Sequence, residues 1–349
     1  MQGFDDLFSS SIVLVTGKGG VGKTTTAATL GLAGVASGRR TLLVEVEGRQ
    51  SFPRLFDTSP WDYQEREFRP GLWGTAIDAA DAVYEYLEMY YGIRRVQWLM
   101  EKSNAIDFVT ASAPGLRDLL YVGKIYEIEK RRRSDGRRLY DLIVVDAPPT
   151  GRIVPFLGAP EAVTEIVRIG PIKRQAAQIG EMLTNPRRTT AVLVSLLEEM
   201  PVQEAIDGVG KLEAAGLTCG PIIVNQAISP RVDRGDHEQL QRDGVTGLRS
   251  RAKEAGAPLS AELAELVLRL SDVHRNRLEL QADMRARLSV QTSLPMLELP
   301  RLPVATFDDD ALKVLADVLA VQIGERGPRA GDAPGWSPQG RISIHAGQP

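Results

Sequence analysis

In the run VLVTGKGGVGKTTTAATLG, residues 13–31, glycines, lysines and threonines carry the spacing of a phosphate-binding loop. Two patterns overlap there. Gly17, Gly19 and Gly22 fit G-x-G-x-x-G, the dinucleotide fingerprint, while Gly17, Gly22, Lys23 and Thr24 fit G-x-x-x-x-G-K-T, the P-loop. Lys23 and Thr24 separate them. A P-loop needs an ammonium on the β- and γ-phosphates and a hydroxyl on Mg²⁺, and a dinucleotide site needs neither at those positions. The residues expected to hold the nucleotide are therefore Gly17, Lys18, Gly19, Gly20, Val21 and Gly22 in the loop, followed by Lys23, Thr24 and Thr25. Lys18 is a second cation directly after the first glycine, where a loop that already carries Lys23 has no evident need of one.

A P-loop also needs a carboxylate near its metal. The apolar run in LIVVDAPPTG ends on Asp146, which is expected to meet Mg²⁺ directly or through a water. Another apolar run, TLLVEVEGRQ, ends on Glu45 and Glu47, about where a dinucleotide fold would place its ribose-binding acid. With Asp146 assigned to the metal, Glu47 has the reach and charge to orient or deprotonate a water at the γ-phosphate. Glu45, two residues earlier on the same strand face, is expected to be structural or to support the metal shell. Gln50 is an alternative, since an amide can orient water without taking its proton. For the base, a common guanine site offers the acid of an Asn-Lys-x-Asp run. Here VNQAIS has no acid after Asn225, which favours adenine, with the Asn225 amide accepting from the base's amino group and donating to a ring nitrogen.

These residues need strands to end beside one another. The near-continuous Val/Ile/Leu runs at 11–16, 41–46, 142–147, 190–196 and 220–225 suit strands buried on both faces, with weaker candidates at 71–77 and 294–300. The segments between them are long enough for crossover helices, so the fold class expected is α/β, a doubly wound and mostly parallel sheet. Residues 1–324 are expected to form one P-loop domain. Helical excursions at about 78–138 and 153–185 would make an inserted helical subdomain, whose aromatic, Leu and Met residues serve its own core. The basic run Lys130–Arg133 with Arg137 and Arg138 reads as a solvated helix end. Between 260 and 288, Leu263, Leu266, Leu270, Val273, Leu280 and Met284 recur at spacings of three and four, interrupted at Arg277. That pattern predicts a long amphipathic helix packed within the chain rather than an intermolecular coiled coil. Residues 325–349, rich in Gly, Pro and polar residues, are expected to be disordered.

With 349 residues the chain can bury a sizeable core. Forty-two basic against forty-five acidic residues leave a formal charge of −3, so no global basic field calls for nucleic acid or an anionic membrane. One cysteine, Cys219, supports neither an internal disulfide nor a Cys-x-x-Cys zinc site, and the three histidines are scattered. Two acids precede the first apolar run, without the basic region of a signal peptide, and no apolar run approaches the ~20 residues of a membrane span. The expectation is a cytoplasmic protein.

The loop GKGGVGKTT resembles the deviant P-loop whose extra lysine contacts phosphate across a dimer interface. In order, GKGGVGKTTTAATLG, LLVEVEGRQ, DAPPTG, EEMPVQEA and GPIIVNQ resemble the arsenite-pump ATPase and guided-entry tail-anchored-protein-targeting ATPase family, within the class of the MinD and ParA ATPases. The resemblance covers about residues 11–322 and is most specific at the P-loop and DAPPTG. It implies an ATPase core with a helical insertion, working as a nucleotide-dependent dimer of like or related chains. Lys18 would act on the partner's ATP, Lys23 on its own, Thr24 on Mg²⁺, and DAPPTG as the γ-phosphate sensor. Departures accompany it. Where the family has an aspartate followed by Pro-Ala-His to hold the attacking water, this chain has Glu47, Gly48, Arg49 and Gln50. A carboxylate displaced by ~1 Å can cost on the order of 10²-fold in rate. The thiolates of arsenite binding and the zinc-binding Cys-x-x-Cys of the targeting members are absent, and only Met89, Met100 and Met182 fall in the helical excursions. Two readings follow. One is a slow Mg²⁺-dependent ATPase serving a protein client or membrane-associated receptor, and the other a nucleotide-gated binding module or regulatory subunit with little hydrolysis. An arsenite-pump energiser fits less well.

Overall fold

A computed structural model of the chain describes residues 7–78, 80–83, 85, 114–166, 171–230, 232, 234–304 and 307–323. The aliphatic and β-branched runs form the strands. β1 (Ile12–Gly17), β2 (Thr41–Val46) and β6 (Thr189–Ser195) are buried at every position, and β5 (Leu142–Asp146) at every position but its last. Such strands suit the interior of a sheet covered on both faces. β4 (Leu72–Ile77), β7 (Ile222–Ala227) and β8 (Met296–Pro300) complete the set expected from the sequence. An eighth strand, β3 (Arg66–Arg69), reads REFR and has no apolar signature; it pairs antiparallel with β4 at the edge of the sheet, where charged side chains can stay in water.

The strands run in the order β3-β4-β2-β5-β1-β6-β7-β8. β1 pairs in parallel with β5 on one side and β6 on the other, and β2 pairs in parallel with β5 and β4. The sheet is thus mixed and mostly parallel, as expected. One core layer joins Val13, Leu43, Val144 and Val192 of these strands to Ala27 and Leu30 of α1 (Lys23–Ala36) and to Leu312 and Leu319 of α9 (Asp309–Ile323). A short α2 (Ser51–Leu55) follows β2.

The two helical excursions supply α3 (Pro114–Lys130), α4 (Thr150–Ile166) and α5 (Pro171–Thr184), which pack on one another. Tyr121 of α3 and Phe156 of α4 are fully buried, with ring centroids 6.4 Å apart. Met182 is buried too, and among the described residues of these helices no large apolar side chain is exposed. Met89 and Met100 lie outside the described residues, as does the expected disordered tail at 325–349. The basic run is partly drawn into ion pairs: Arg131 reaches Glu65 at 2.6 Å, and Arg138 lies 3.4 Å from the buried Glu129. α6 (Glu199–Ala214) follows β6 and packs on it.

Residues 7–226 with 288–323 form one compact unit and residues 227–287 another. The second holds α7 (Arg234–Glu254), bent at Gly244, and most of α8 (Ala261–Thr292). Gln241 and His237 of α7 reach Asp272 of α8 at 2.7 and 3.4 Å, which sets the two helices side by side. α8 is the long helix that the apolar spacing predicts, but most of that stripe is exposed rather than packed within the chain. Ala264 and Gln281 are buried, whereas Leu263, Leu266, Leu270, Val273 and Leu280 are exposed.

Candidate nucleotide site

The carboxyl ends of β1, β2 and β5 stand side by side, because Val15 and Glu45 are both level with Asp146 across their ladders. Ligands of open α/β sheets bind outside such strand ends. The chain leaves β1 through Gly17, with φ 150°, where a Cβ would lie 2.3 Å from the Val194 carbonyl oxygen of β6. It enters α1 through Gly22, with φ 91°, where a Cβ would lie 2.2 Å from Asn225 Nδ2. Only glycine fits either place. Gly19 and Gly20 between them are exposed, and no side chain caps the first turn of α1. Its free amides and positive dipole end are therefore open to an anion.

Lys23 Nζ donates to the Lys18 carbonyl oxygen at 3.1 Å. Burial holds the Lys23 ammonium below the usual lysine range, against the opposing charge of Asp146. Thr24 Oγ1 donates to Asp146 Oδ2 at 2.6 Å. Burial pushes the Asp146 carboxyl upward, opposed by that hydrogen bond and by Lys23. The other oxygen, Oδ1, is buried and has no hydrogen-bond partner. Buried polar atoms are normally paired, and an anionic oxygen without a donor beside a threonine hydroxyl fits a hard cation such as Mg²⁺. Thr24 and Asp146 are the residues that would hold it. Triphosphate and metal would supply the two charges the site lacks, one for Lys23 and one for Asp146. Among the described residues, no group of three or more His, Cys, Asp or Glu gathers as a metal site.

DAPPTG is tied to the P-loop strand: Thr16 Oγ1 donates to the Pro148 carbonyl oxygen at 2.7 Å, and the Ala147 N–H to that of Val15 at 3.0 Å. Lys18 Nζ lies 3.0 Å from a carboxylate oxygen of Glu204 on α6, whose other oxygen accepts from Thr150 Oγ1 at 3.3 Å. Glu204 thereby joins the extra lysine to the threonine of DAPPTG. Thr25 lies in the first turn of α1, half-buried, with its carbonyl oxygen accepting from Thr29 Oγ1.

After β2 the backbone turns left-handed at Glu47, Gly48 and Gln50, with φ of 71°, 61° and 56°. One Glu47 oxygen is paired with Arg49 and the other with Arg152 of α4, and Arg152 also lies 3.5 Å from Asp118 of α3. Glu45 turns away from this group. Its carboxylate accepts from the Ser51 N–H at 2.9 and 3.0 Å and from that of Phe52 at 3.4 Å, capping α2, and burial pushes it upward. Both ends of the Gln50 amide are held by the Trp61 main chain at 2.8 Å. Asn225 is buried at the end of β7. Its Nδ2 donates to the Val21 carbonyl oxygen at 2.9 Å, and its Oδ1 accepts from the Gln226 N–H at 2.9 Å.

The anion-transporting ATPase model matches residues 10–179, and the chain is 38% identical over 321 residues to the ATPase BagA of Mycobacterium tuberculosis, covering 88% of this chain and 92% of that one. This chain belongs to the anion-transporting ATPase family. More distant members are the ATPase GET3 of Kluyveromyces lactis, 25% identical over 64% of this chain and 74% of its own, and the arsenical pump-driving ATPase of Escherichia coli, 25% identical over 73% and 45%. Within this family member, Arg152, Asp118 and Glu204 join the site without having been singled out in the sequence. A signal exists for two of them: Arg152 is the residue after DAPPTG, and Glu204 lies within EEMPVQEA.

Proposed function

We propose that this chain is a Mg²⁺-dependent ATP hydrolase in which ATP-driven closure of a dimer, with a second copy or a related chain, is coupled to binding or targeting a protein partner. The reading rests above all on the Thr24–Asp146 pair, whose second carboxylate oxygen is buried and unpartnered beside Lys23. The amides of Gly17 to Gly22 and the Lys23 ammonium bind the phosphates, and the Asn225 amide, with one N–H and one lone pair still unused, reads adenine. Mg²⁺, when bound, supplies positive charge to the β- and γ-phosphate oxygens. Lys18 leaves Glu204 to reach the partner's phosphates, and Glu47 releases an oxygen from its arginines to orient the attacking water. The client is a protein or a membrane-associated receptor, nucleic acid is not a partner, and the site of action is the cytoplasm. Among the described residues no helix is long and apolar enough to cross a membrane.

Single-turnover hydrolysis with purified chain tests the engine. ATP is cleaved with Mg²⁺ and not with excess chelator, and Lys23→Ala loses about 10²–10³-fold in rate, by analogy with the loss of other preorganised transition-state contacts. Equal rates in the two chains would overturn the proposal.

A second reading has its own support. Both Glu47 oxygens are taken by arginines, which suits a nucleotide-gated binding module that hydrolyses little. ATP-dependent dimerisation without measurable turnover would select it. Neither reading uses thiols: Cys219 is half-buried, and burial pushes its thiol up to about 12. Arsenite should not stimulate hydrolysis, and zinc at about half an equivalent per chain that survives mild chelation would contradict the absence of a shared tetrahedral site.

A further inference from the structure

The exposed stripe of α8 is apolar where a solvent-facing helix surface is normally polar. Leu263, Leu266, Leu270, Val273 and Leu280 are 37–56% exposed, while the side turned inward carries the half-buried Val267, Leu268 and Leu278 together with Ser271, His274 and Gln281. Single exposed leucines need no explanation, but five along one line of a helix do. Written as a heptad, Leu263, Leu270, Arg277 and Met284 occupy one core position, and Leu266, Val273 and Leu280 the other. From Leu263 to Met284 this seam is roughly 33 Å long at 1.5 Å per residue. One flank of it, Val267, His274 and Gln281, is half-buried or buried. The other flank carries Glu262, Arg269, Asn276 and Asp283, all exposed.

We propose that this face is a nucleotide-independent interface between two copies of the chain, with the two α8 helices packed antiparallel about a twofold axis near residue 275. Charge selects the occupant and its direction. In that register Leu270 faces the partner's Leu280, and Leu266 faces the partner's Met284. Along the open flank Arg269 comes beside the partner's Asp283, an ion pair that the twofold axis repeats, and Asn276 meets the partner's Asn276 at the axis. Among the described residues neither Arg269 nor Asp283 has an ion-pair partner within its own chain. A parallel pair would set Arg277 against the partner's Arg277 inside the seam and leave Arg269 and Asp283 without opposite charges. The antiparallel pair puts Arg277 against the partner's Val273, where its stem packs and its guanidinium reaches water.

The test uses the full chain with chelator and no nucleotide, so that ATP-driven closure plays no part and failure of one reading leaves the other standing. Sedimentation equilibrium over about 1–100 μM, a span that brackets a micromolar dimer, should give a dimer. Leu270→Glu should shift it to monomer without loss of helical circular dichroism, because Leu270 is exposed in the single chain. Arg269→Asp should weaken the dimer about tenfold, since two surface pairs are lost and each is worth ~0.2–1 kcal/mol. Adding Asp283→Arg to that variant should restore the dimer. A natural chain that stays monomeric throughout, or a dimer indifferent to Leu270→Glu, would overturn the interface. A charge exchange that fails to restore the dimer would overturn the antiparallel pairing.

Discussion

Lys18 Nζ sits 3.0 Å from the Glu204 carboxylate of its own chain. If Lys18 serves another subunit's phosphates, as proposed, it must first leave that contact, and Glu204 would then set a threshold for dimer closure. Both side chains are about a third exposed, and such pairs are worth ~0–1 kcal/mol. Glu204→Gln should therefore lower the ATP concentration needed for closure by up to about fivefold. Light scattering against ATP concentration, in a chain arrested by Glu47→Gln, measures the shift; a rise in the ATP required would remove Glu204 from this role.

The same lysine gives a mixing experiment. Lys18→Ala and Lys23→Ala should each be inactive alone. In a mixed dimer, the Lys18→Ala chain keeps its own Lys23 and receives an intact Lys18, so one site is complete. Partial recovery of hydrolysis is the expected result, once mixed dimers are shown to form. No recovery would mean that both lysines serve their own chain's nucleotide.

Asp146 is held above the usual carboxylate range by burial, and neighbouring Glu45 by the same cause. A carboxyl whose pKa rises on folding contributes stability that is present below its unfolded value and lost as pH rises through the folded one. Ionised Asp146 therefore costs the nucleotide-free chain stability at neutral pH. Asp146→Asn should raise the thermal midpoint at pH 8 by more than at pH 4, while abolishing the further rise that Mg²⁺ with ATP gives the natural chain. Thermal unfolding at the two pH values checks both parts; destabilisation by Asp146→Asn at pH 8 would contradict the role of burial.

Asn225 is fixed to the P-loop, not only placed near it: its Nδ2 hydrogen-bonds the Val21 carbonyl oxygen and fills the space a Cβ at Gly22 would occupy. The natural chain should bind ATP more tightly than GTP. Asn225→Ala should weaken both, through the loosened loop, and narrow the gap between them, through the lost base contact. Titration calorimetry with each nucleotide resolves the two effects. An unchanged gap would leave the amide as a loop brace alone.

The sheet was legible because its inner strands are buried on both faces and so read as unbroken aliphatic runs; β3 was not, because an edge strand of Arg, Glu, Phe and Arg obeys no apolar pattern. The P-loop was legible for a similar reason. Gly17 and Gly22 answer to steric demands that no other residue meets, and their spacing carries that demand into the sequence. What surrounds the loop was harder to foresee. Arg152, Asp118 and Glu204 reach the site from α4, α3 and α6, and their contacts depend on long-range packing that local spacing does not encode. The α8 stripe shows the opposite limit: its period predicts the helix, but period alone cannot say whether the apolar face meets its own chain.

Glu47 stands at the left-handed turn after β2 with both carboxylate oxygens engaged. Its two oxygens are divided between Arg49 and Arg152, while Gln50, the other candidate for orienting water, has both ends of its amide on the Trp61 backbone. A carboxylate held by two guanidiniums is well placed, but it must give up a charge-assisted contact before it can engage a water. Hydrolysis should accordingly be slow. Glu47→Gln should lower the single-turnover rate by about 10²-fold or more and accumulate an ATP-bound closed dimer, in keeping with the usual worth of a general base. Arg152→Ala should free one oxygen and raise the rate several-fold, while leaving the buried Asp118 carboxylate without its guanidinium at some cost in stability. Glu47→Asp separates reach from charge: faster turnover would mean that the shorter carboxylate suits the site, and slower turnover that the left-handed turn at residues 47–50 is shaped for glutamate. Full activity in Glu47→Gln would remove Glu47 from the mechanism and shift the search to Gln50 or to a group supplied by a partner chain.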